Sequence, residues 1–244
     1  MAKHKGDDDD KGTDDFSNVG EDNGNGEHRG HEDGNEDTSV HRFGIVDANA
    51  VDPAHPGQMY FGTGNLATGY NIVDNAEEHV EVGLKVHLRG PAVDQTPTFD
   101  SHGNPTYTES AGLQTPTRAN WNFDFSADTA FGGGNHTLNQ FDFKITVSNG
   151  IHSETFDLAK GNSHFWISEQ NPTHGFGGDD FTHPASPAVV ASEAENSVNL
   201  AFSAFDDFGP LATRLAAGQH YEVTLQAFEH HEQVAAVHNF IVLA

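Results

Sequence analysis

The sequence has no cysteine among its 244 residues, so disulfide bonds and thiolate chemistry are excluded. No run approaches the ~18 consecutive apolar residues of a membrane-spanning helix, so we expect no membrane span. Basic residues are also scarce, with 11 Lys and Arg against 37 Asp and Glu and a formal net charge of -26. This balance argues against nucleic acid as a partner and favours cations.

The acidity is spread along the whole chain. Residues 1–40 contain 13 acids and 4 bases, a net charge of -9, so the other 204 residues carry -17 of the total of -26. Residues 12–40 have almost no apolar side chains and cannot bury enough surface to fold alone. We therefore predict a disordered acidic arm over residues 1–40, followed by one domain over residues 41–244.

The start of the arm admits two interpretations. Asp7 to Lys11 matches the enterokinase recognition sequence, so residues 1–11 could derive from an expression tag. If the initiator Met is removed instead, the free amine of Ala2 and the imidazole of His4 form a set of nitrogen ligands that suits Cu or Ni. The start lacks the basic and apolar pattern of a classical secretion signal.

The clearest structural prediction is a β-hairpin over residues 138–158. Apolar residues alternate with polar ones on both sides of Asn149-Gly150, a dipeptide typical of the two-residue type I′ turn. That turn would place Phe156 opposite Phe143 on the buried face and Asp157 opposite Asp142 on the other. Two opposed carboxylates should repel each other unless Lys144 or a bound cation neutralises them.

Similar patterns predict several further strands, and one helix near the C-terminus. Val80, Val82, Leu84, Val86 and Leu88 alternate without a miss, which predicts a strand with one buried face. Other expected strands lie at residues 43–46, 59–63, 69–74, 121–125, 164–168 and 197–205, with a hairpin closing the chain. The single short helix is expected over residues 210–217, between Pro210 and Gly218. The fold class is thus all-β, an antiparallel β-sandwich of about ten strands, jelly-roll-like or Ig-like.

Two long loops interrupt this pattern, at residues 89–117 and 169–196. The first contains a short hairpin that carries Phe99 and Tyr107. The second brings four potential metal ligands within ten positions, namely His174, Asp179, Asp180 and His183. Imidazoles and carboxylates suit Zn or a related ion, so this loop is a candidate metal site or, alternatively, a solvated loop.

Histidines and acids elsewhere supply further candidate ligands. The 17 histidines are many for a chain so poor in lysine and arginine. His28, His31, Glu32 and Asp33 in the arm lie close enough in sequence to share a divalent ion; the alternative is that the arm is a solvated spacer. His230 and His231 occupy the tip of the closing hairpin, and His238 lies on its second strand.

The last six residues, NFIVLA, resemble the uncleaved ending of substrates of bacterial type I (ABC-exporter) secretion, where apolar residues follow a polar one. The absence of cysteine, the missing N-terminal signal, the low isoelectric point and the many glycines fit the same class. The calcium repeats usual in that class are absent. The resemblance implies secretion to the extracellular space or cell surface, where millimolar calcium would fill weak oxygen sites.

These observations support three hypotheses about function. The first is a secreted, non-enzymatic β-sandwich that binds divalent cations, with calcium preferred over Cu, Ni or Zn, and acts in structural assembly as part of a matrix or fibre. Its partners would be further copies of itself, or a matrix or surface component. The second is a metal or haem scavenger that uses His4, His230, His231 and His238. The third is a metal-dependent hydrolase built on His174, Asp179 and His183.

Overall fold

The alternating patterns of the sequence become the strands of two facing sheets. The computed structural model describes residues 39–46, 68–90, 92–101, 103–157 and 193–244. The first six-stranded sheet contains β1 (Val40–Gly44), β2 (Tyr70–Asn75), β3 (Val80–Arg89), β4 (Ala92–Asp94), β9 (Trp121–Asp128) and β12 (Glu193–Val198). The second contains β5 (Thr98–Phe99), β6 (Pro105–Glu109), β10 (Asp142–Ser148), β11 (Ser153–Asp157), β13 (His220–Glu229) and β14 (Glu232–Leu243). A two-stranded ribbon pairs β7 (Leu113–Thr115) with β8 (Arg118–Ala119).

The predicted all-β sandwich is confirmed, with one departure from antiparallel pairing. The first sheet runs in the order β1-β2-β3-β9-β12, with β4 beside β3, and the second runs β11-β10-β13-β14-β6-β5. β6 lies parallel to β14, with Tyr107 opposite Ile241. The last residue secures this pair, because the backbone N–H of Ala244 donates to the carbonyl of Glu109 at 2.9 Å. Parallel strands are joined by a long connection, so no local sequence pattern predicts this pairing.

The core lies between the two sheets, and alternate residues along each strand contribute to it. Val82, Leu84 and Val86 of β3 face Val223 and Leu225 of β13, and all five are at most 1 % exposed. Large aromatic side chains of the core come from four strands, namely Trp121, Phe123 and Phe125 of β9, Phe143 of β10, Tyr107 of β6 and Tyr221 of β13. Burial of each large apolar side chain contributes about 1.5–3 kcal/mol, so this face holds the fold together.

The β10–β11 hairpin forms where the sequence predicts it. The predicted register, however, is wrong by two positions. Phe156 pairs with Ile145, and Asp157 pairs with Lys144. Asp142 lies opposite Phe228 of β13 instead. The two carboxylates are therefore not opposed: Lys144 lies directly across from Asp157 in the register, and its Nζ lies 4.9 Å from the centroid of the Phe228 ring.

The loop of this hairpin explains the shift. It spans four residues, and only Gly150 has a positive φ, at 81°. The side-chain oxygen of Asn149 accepts hydrogen bonds from the backbone N–H groups of Ile151 at 3.0 Å and His152 at 2.8 Å. Asn149 thus stabilises a longer turn in place of the expected two-residue type I′ turn.

The backbone signature of the type I′ turn occurs instead at the tip of the β13–β14 hairpin. Glu229 pairs with Glu232, which leaves His230 and His231 as the two central residues. Their φ angles are 49° and 74°. Positive φ is unusual for residues other than glycine, although histidine enters this region more often than most side chains.

We expect the replacement of His230-His231 by Asn-Gly to raise the free energy of unfolding by about 1–2 kcal/mol, because the left-handed conformation costs most side chains that much. Urea denaturation followed by circular dichroism measures the effect. Gly150→Ala, which introduces a Cβ at positive φ, should shift the urea midpoint in the opposite direction. A midpoint lowered by Asn-Gly would show that the two imidazoles make stabilising contacts.

Two sequence predictions near the chain end need adjustment. The helix forms with Pro210 as its N-cap but covers only Leu211–Arg214 as α1. The strand expected over 197–205 ends at Val198, and the chain then forms a 3-10 turn over Ser203–Phe208. Phe205 and Phe208 of that turn pack into the core, so their apolar pattern reflects burial without strand pairing.

The stretch 89–117, predicted as a long loop with one short hairpin, contains four strands: β4, β5, β6 and β7. The predicted short hairpin is β5–β6, in which Phe99 is 51 % exposed and Tyr107 is fully buried. The first strand begins at Val40, three residues before its predicted start. The strands expected at 59–63 and 164–168 lie outside the described residues, as do residues 1–38 of the arm and residues 169–192 of the second loop. Among the described residues, no helix has the length and apolar character needed to cross a membrane.

Candidate functional site: an ionic face and two carboxyl pairs

The face of the first sheet that points away from the core is charged and yet buried. Its buried charged residues are Asp74 of β2, Glu81, Lys85 and His87 of β3, and Asp124 and Asp128 of β9. We call this set the ionic face. The expectation that β3 is buried on one face only is therefore wrong.

One end of the ionic face is neutralised by Arg42 of the edge strand β1. Its Nε donates to Asp74 Oδ2 at 2.5 Å, and its Nη2 donates to Glu81. Burial lowers the pKa of the Arg42 guanidinium, but the two carboxylates outweigh that effect. The net shift of the pKa is upward. The pair of acids and the arginine thus link three neighbouring strands.

Lys85 occupies the middle of the ionic face and is 1 % exposed. Its Nζ lies 3.0 Å from Asp94 Oδ1 and 3.9 Å from Asp124 Oδ2, and it donates to the carbonyl of Thr68 at 3.3 Å. Gly69 has a φ of 78°, and a Cβ there would lie 3.1 Å from the Asp94 side chain. Glycine at this position therefore permits the close approach that brings Asp94 to the lysine.

His87 completes the network at the far end. Its Nε2 lies 3.1 Å from Asp124 Oδ1, and its Nδ1 lies 2.9 Å from the carbonyl of Leu88. Both ring nitrogens thus face acceptors, which suits a doubly protonated imidazolium. Burial lowers the pKa of His87, but the charge of Asp124 outweighs it and the net shift is upward. Asp74, Glu81 and Asp124 thus each have a cationic partner within this network, which ties neighbouring strands together.

The surface offers a different arrangement, in which acids contact each other. The turn after β2 is shaped by Asn75, whose Oδ1 accepts from the backbone N–H groups of Glu77 and Glu78, each at 3.1 Å. Asn75 also donates to the carbonyl of Val234 in the opposite sheet at 2.9 Å. These bonds bring Glu78 to Glu229 at the end of β13. The carboxyl groups of Glu78 and Glu229 lie close enough to interact, and this contact, with burial second, raises the pKa of Glu78.

A second contact of the same kind ties β11 to the 3-10 turn at 203–208. Phe156 packs edge-on against Phe205 at 5.5 Å and holds the turn against the strand. Glu154 consequently meets Asp207. Burial first, and then the contact with the Asp207 carboxylate, raise the pKa of Glu154.

These two contacts, Glu78 with Glu229 and Glu154 with Asp207, we call the carboxyl pairs. A hydrogen bond between two carboxyl groups needs a shared proton, and at neutral pH the proton is scarce, so like charges repel. A divalent cation can replace the proton, since carboxylate oxygens are the ligands that calcium prefers. Sequence reasoning missed both pairs because each joins residues from distant parts of the chain; doubled acids in turns, as at Glu77-Glu78, are the one local hint.

The structure separates the described candidate ligands that the sequence suggested. Asp142 and Asp157 face different partners, as the register shows. His230 and His231 lie at the hairpin tip, whereas His238 pairs with Thr224 along β14, roughly 23 Å away at about 3.3 Å per residue. The Nδ1 of His238 lies 3.0 Å from Glu222 Oε1.

Eight candidate ligands lie outside the described residues: His4, His28, His31, Glu32, His174, Asp179, Asp180 and His183. The hydrolase hypothesis therefore stays a prediction. The same holds for the role of His4 in the scavenger hypothesis. Across the described ranges, no group of three or more histidine or acidic side chains is arranged to hold a metal ion. Each carboxyl pair alone supplies two acidic side chains.

Comparison with known proteins adds no relatives: no protein-family model matches the chain, and neither curated proteins nor solved structures include a match. The fold and the carboxyl contacts are therefore the basis for functional inference.

Proposed function

We propose that the chain is a secreted, non-enzymatic β-sandwich that binds divalent cations, chiefly calcium, and serves in structural assembly as part of a matrix or fibre. The carboxyl pairs carry this proposal. Each joins acids from separate elements, so an ion bound there would replace a repulsion with a cross-link. The Glu78–Glu229 pair would connect a turn of the first sheet with a turn of the second.

The chemistry of the pairs fits weak, extracellular calcium binding. Two carboxyl side chains leave most of the six to eight calcium ligands to water or backbone, which corresponds to dissociation constants of about 10⁻⁴ to 10⁻³ M. Such sites fill where calcium is millimolar. The net charge of -26 gives the whole surface the same preference for cations.

Export by the type I route fits this proposal and requires that export precede the folding of the C-terminal strand. The ending that resembles a secretion signal forms the last part of β14, where Ile241 and Leu243 are at most 1 % exposed. An exporter would have to engage this segment before β14 pairs with β13 and β6.

Calcium is expected to raise the melting temperature. A site with a Kd of about 1 mM gains about 1.4 kcal/mol in about 10 mM calcium. A domain of this size gains about 2–4 °C per kcal/mol, so two sites should add roughly 5–10 °C. Differential scanning calorimetry in calcium, and in sodium chloride of matched ionic strength, measures the specific part.

Matched variants locate the effect. Glu229→Gln and Glu154→Gln should each remove about half of the calcium-dependent rise, because each leaves one carboxyl pair intact. Glu222→Gln removes the same charge from β13 without touching a carboxyl pair, since Glu222 contacts His238. An unchanged melting temperature in calcium relative to matched sodium chloride would refute cation binding, and an equal loss in all three variants would refute the carboxyl pairs as the sites.

A further inference from the structure

The end of the sandwich that carries the β2–β3 and β13–β14 turns combines carboxylates with imidazoles. Among the described residues other than glycine, three have a positive φ, and all are histidines of these two turns: His79 at 54°, His230 at 49° and His231 at 74°. Backbone conformations of this kind cost energy and concentrate at binding sites, where the surrounding structure holds them. The Glu78–Glu229 pair joins the same two turns, so both kinds of metal ligand lie at one end of the molecule.

The rings of His79 and His136 form a contact at this end. They meet edge-to-face, with centroids 5.9 Å apart and an interplanar angle of 89°. The loop between β9 and β10 approaches His79 because residue 134 is glycine: a Cβ on Gly134 would lie 2.5 Å from the Cβ of His79. Two imidazoles that bind one tetrahedral ion have centroids roughly 5–6 Å apart, given Zn–N bonds of about 2.1 Å. The two rings therefore have a spacing that a single ion can bridge.

Each ring has a nitrogen that a metal ion can use. The Nδ1 of His79 lies 3.1 Å from the carbonyl oxygen of Phe131. A nitrogen that donates to a carbonyl carries the proton, so the Nε2 of His79 keeps its lone pair, as in metal-binding histidines that hold their second N–H group on a carbonyl. The Nδ1 of His136 is buried and has no hydrogen-bond partner among the described residues. Buried nitrogens normally have a partner, so this one points to a ligand that binds there.

Two carboxylates complete the set. The contact with Glu229, and then burial, raise the pKa of Glu78, whereas the positive charge of His136 acts in the opposite direction. The imidazole of His136 thus lies within electrostatic range of the Glu78 carboxylate. Glu78 also precedes His79 in the chain, and the side chain of Asn75 fixes its backbone in the turn. The two carboxylates and the two imidazoles therefore form neighbouring pairs.

We propose that these four side chains together bind one Zn²⁺ ion. The set consists of His79, His136, Glu78 and Glu229. The inference rests on the proposed cation binding and names the ion that one carboxyl pair takes. Two imidazole nitrogens and two carboxylate oxygens match the tetrahedral shell of zinc, whereas calcium prefers six to eight oxygen ligands. The side chains lie as two pairs, so binding requires that the two half-buried glutamates at the turns rotate toward the rings.

The second carboxyl pair differs in its imidazole content. The imidazole close to Glu154 is that of His152, whose ring packs against Phe208 with centroids 6.3 Å apart. A single imidazole offers zinc one nitrogen ligand, so the pair of Glu154 and Asp207 keeps the preference of carboxylates for calcium. With calcium alone both pairs take calcium, as proposed above; where zinc is present, the pair beside the two histidines takes zinc instead.

Nuclear magnetic resonance of the histidine rings tests the site, because it reports on each imidazole separately. Zn²⁺ is titrated into the full chain labelled at histidine, and the signals of His79 and His136 are assigned from the variants His79→Asn and His136→Gln. Asparagine tolerates the positive φ of residue 79, so the first variant keeps the turn. We expect both signals to shift with one common dissociation constant in wild type.

Variants separate a shared site from isolated ligands. Each histidine variant should weaken zinc binding at the remaining ring at least about tenfold, the loss that removal of even an outer-shell partner causes. Glu229→Gln should do the same by removing one carboxylate. His238→Gln is the matched control, because it removes an imidazole that also contacts a carboxylate, Glu222, but lies outside the set. This variant should leave the shifts of both rings unchanged.

The inference would be overturned if the rings of His79 and His136 do not shift, if they shift with unequal dissociation constants, or if the response survives in Glu229→Gln. Zinc binding by histidines elsewhere in the chain would not rescue it. A calcium-dependent rise in melting temperature without a zinc response at these rings would remove this inference and retain the proposed function. A zinc response at these rings without any calcium response would do the reverse.

Discussion

Replacing Lys85 by methionine is expected to lower the free energy of unfolding by about 3–5 kcal/mol, the cost of leaving a buried charge without its partner. Methionine keeps the length and apolar stem of the side chain but removes the ammonium group. Asp124 is fully buried and would then rely on His87 alone for its compensation. Asp94, at 28 % exposure, can recover water, so the larger share of the penalty falls on Asp124.

A second substitution separates charge from packing. Asp124→Asn in the Lys85→Met background removes the stranded carboxylate and should restore much of the lost stability, since a neutral pair carries no uncompensated charge. Urea denaturation of wild type, Lys85→Met, Asp124→Asn and the double variant gives the coupling between the two positions. Lys144→Met on the outer face of the second sheet is the control and should cost less than about 1 kcal/mol. Equal losses at Lys85 and Lys144, or a double variant no better than Lys85→Met, would contradict a buried charge network.

The core face of the sandwich was predictable because its information is local. Val80 to Leu88 and Phe141 to Val147 alternate in the sequence, and the same residues alternate between core and outer face in the structure. The residues of the turn predicted the loop length of the β10–β11 hairpin less well. Asn149-Gly150 has the residues of a type I′ turn, but the hydrogen bonds made by the Asn149 side chain favour a longer loop.

The second face of β3 was not predictable from alternation alone. Glu81, Lys85 and His87 have the polar character of an exposed face, and their burial depends on partners far along the chain. Arg42 lies 39 positions from Glu81, and Asp124 lies 37 positions from His87. A signal does exist once the register is known, because Lys85 lies directly across from Asp124. Opposite charges at matching positions of two strands could have suggested the pairing.

The carboxyl pairs show the same limit of sequence reasoning. The sequence predicted an acidic, cation-binding surface from charge alone, and it placed Asp142 against Asp157 by counting from an assumed turn. Glu78 and Glu229 instead meet because Asn75, beside the β2–β3 turn, donates to the carbonyl of Val234 in the opposite sheet, close to the β13–β14 turn. Which carboxylates meet is decided by sheet packing, and neither composition nor spacing contains that information.

Glu109 is expected to make the free energy of unfolding strongly dependent on pH. The side chain points inward from β6, is 1 % exposed, and its two carboxyl oxygens have no hydrogen-bond partner among the described residues. Burial raises the pKa of Glu109 to about 7, while the nearby His87 offsets part of that shift. The folded protein therefore holds this proton at pH values where the unfolded chain has released it.

The direction of the pH dependence follows from this difference. Between the ordinary pKa of 4.5 and the folded value of about 7, the folded state binds more protons than the unfolded state. Stability from this group is thus full below pH 4.5 and falls as the pH rises through 7, by about 3 kcal/mol in total. The raised pKa of His87 acts with the same sign, because its contribution is also lost as the pH rises.

Glu109→Gln isolates the contribution of the carboxyl group, since the amide resembles the protonated acid at every pH. We expect the variant to match wild type within about 1 kcal/mol at pH 5, and to be more stable by about 2–3 kcal/mol at pH 8. Urea midpoints between pH 5 and pH 8 measure both values. Glu232→Gln, at an exposed side chain of β14, should leave the pH profile unchanged. Parallel profiles for Glu109→Gln and wild type would show that Glu109 is ionised in the folded state, and that a partner or water compensates its charge.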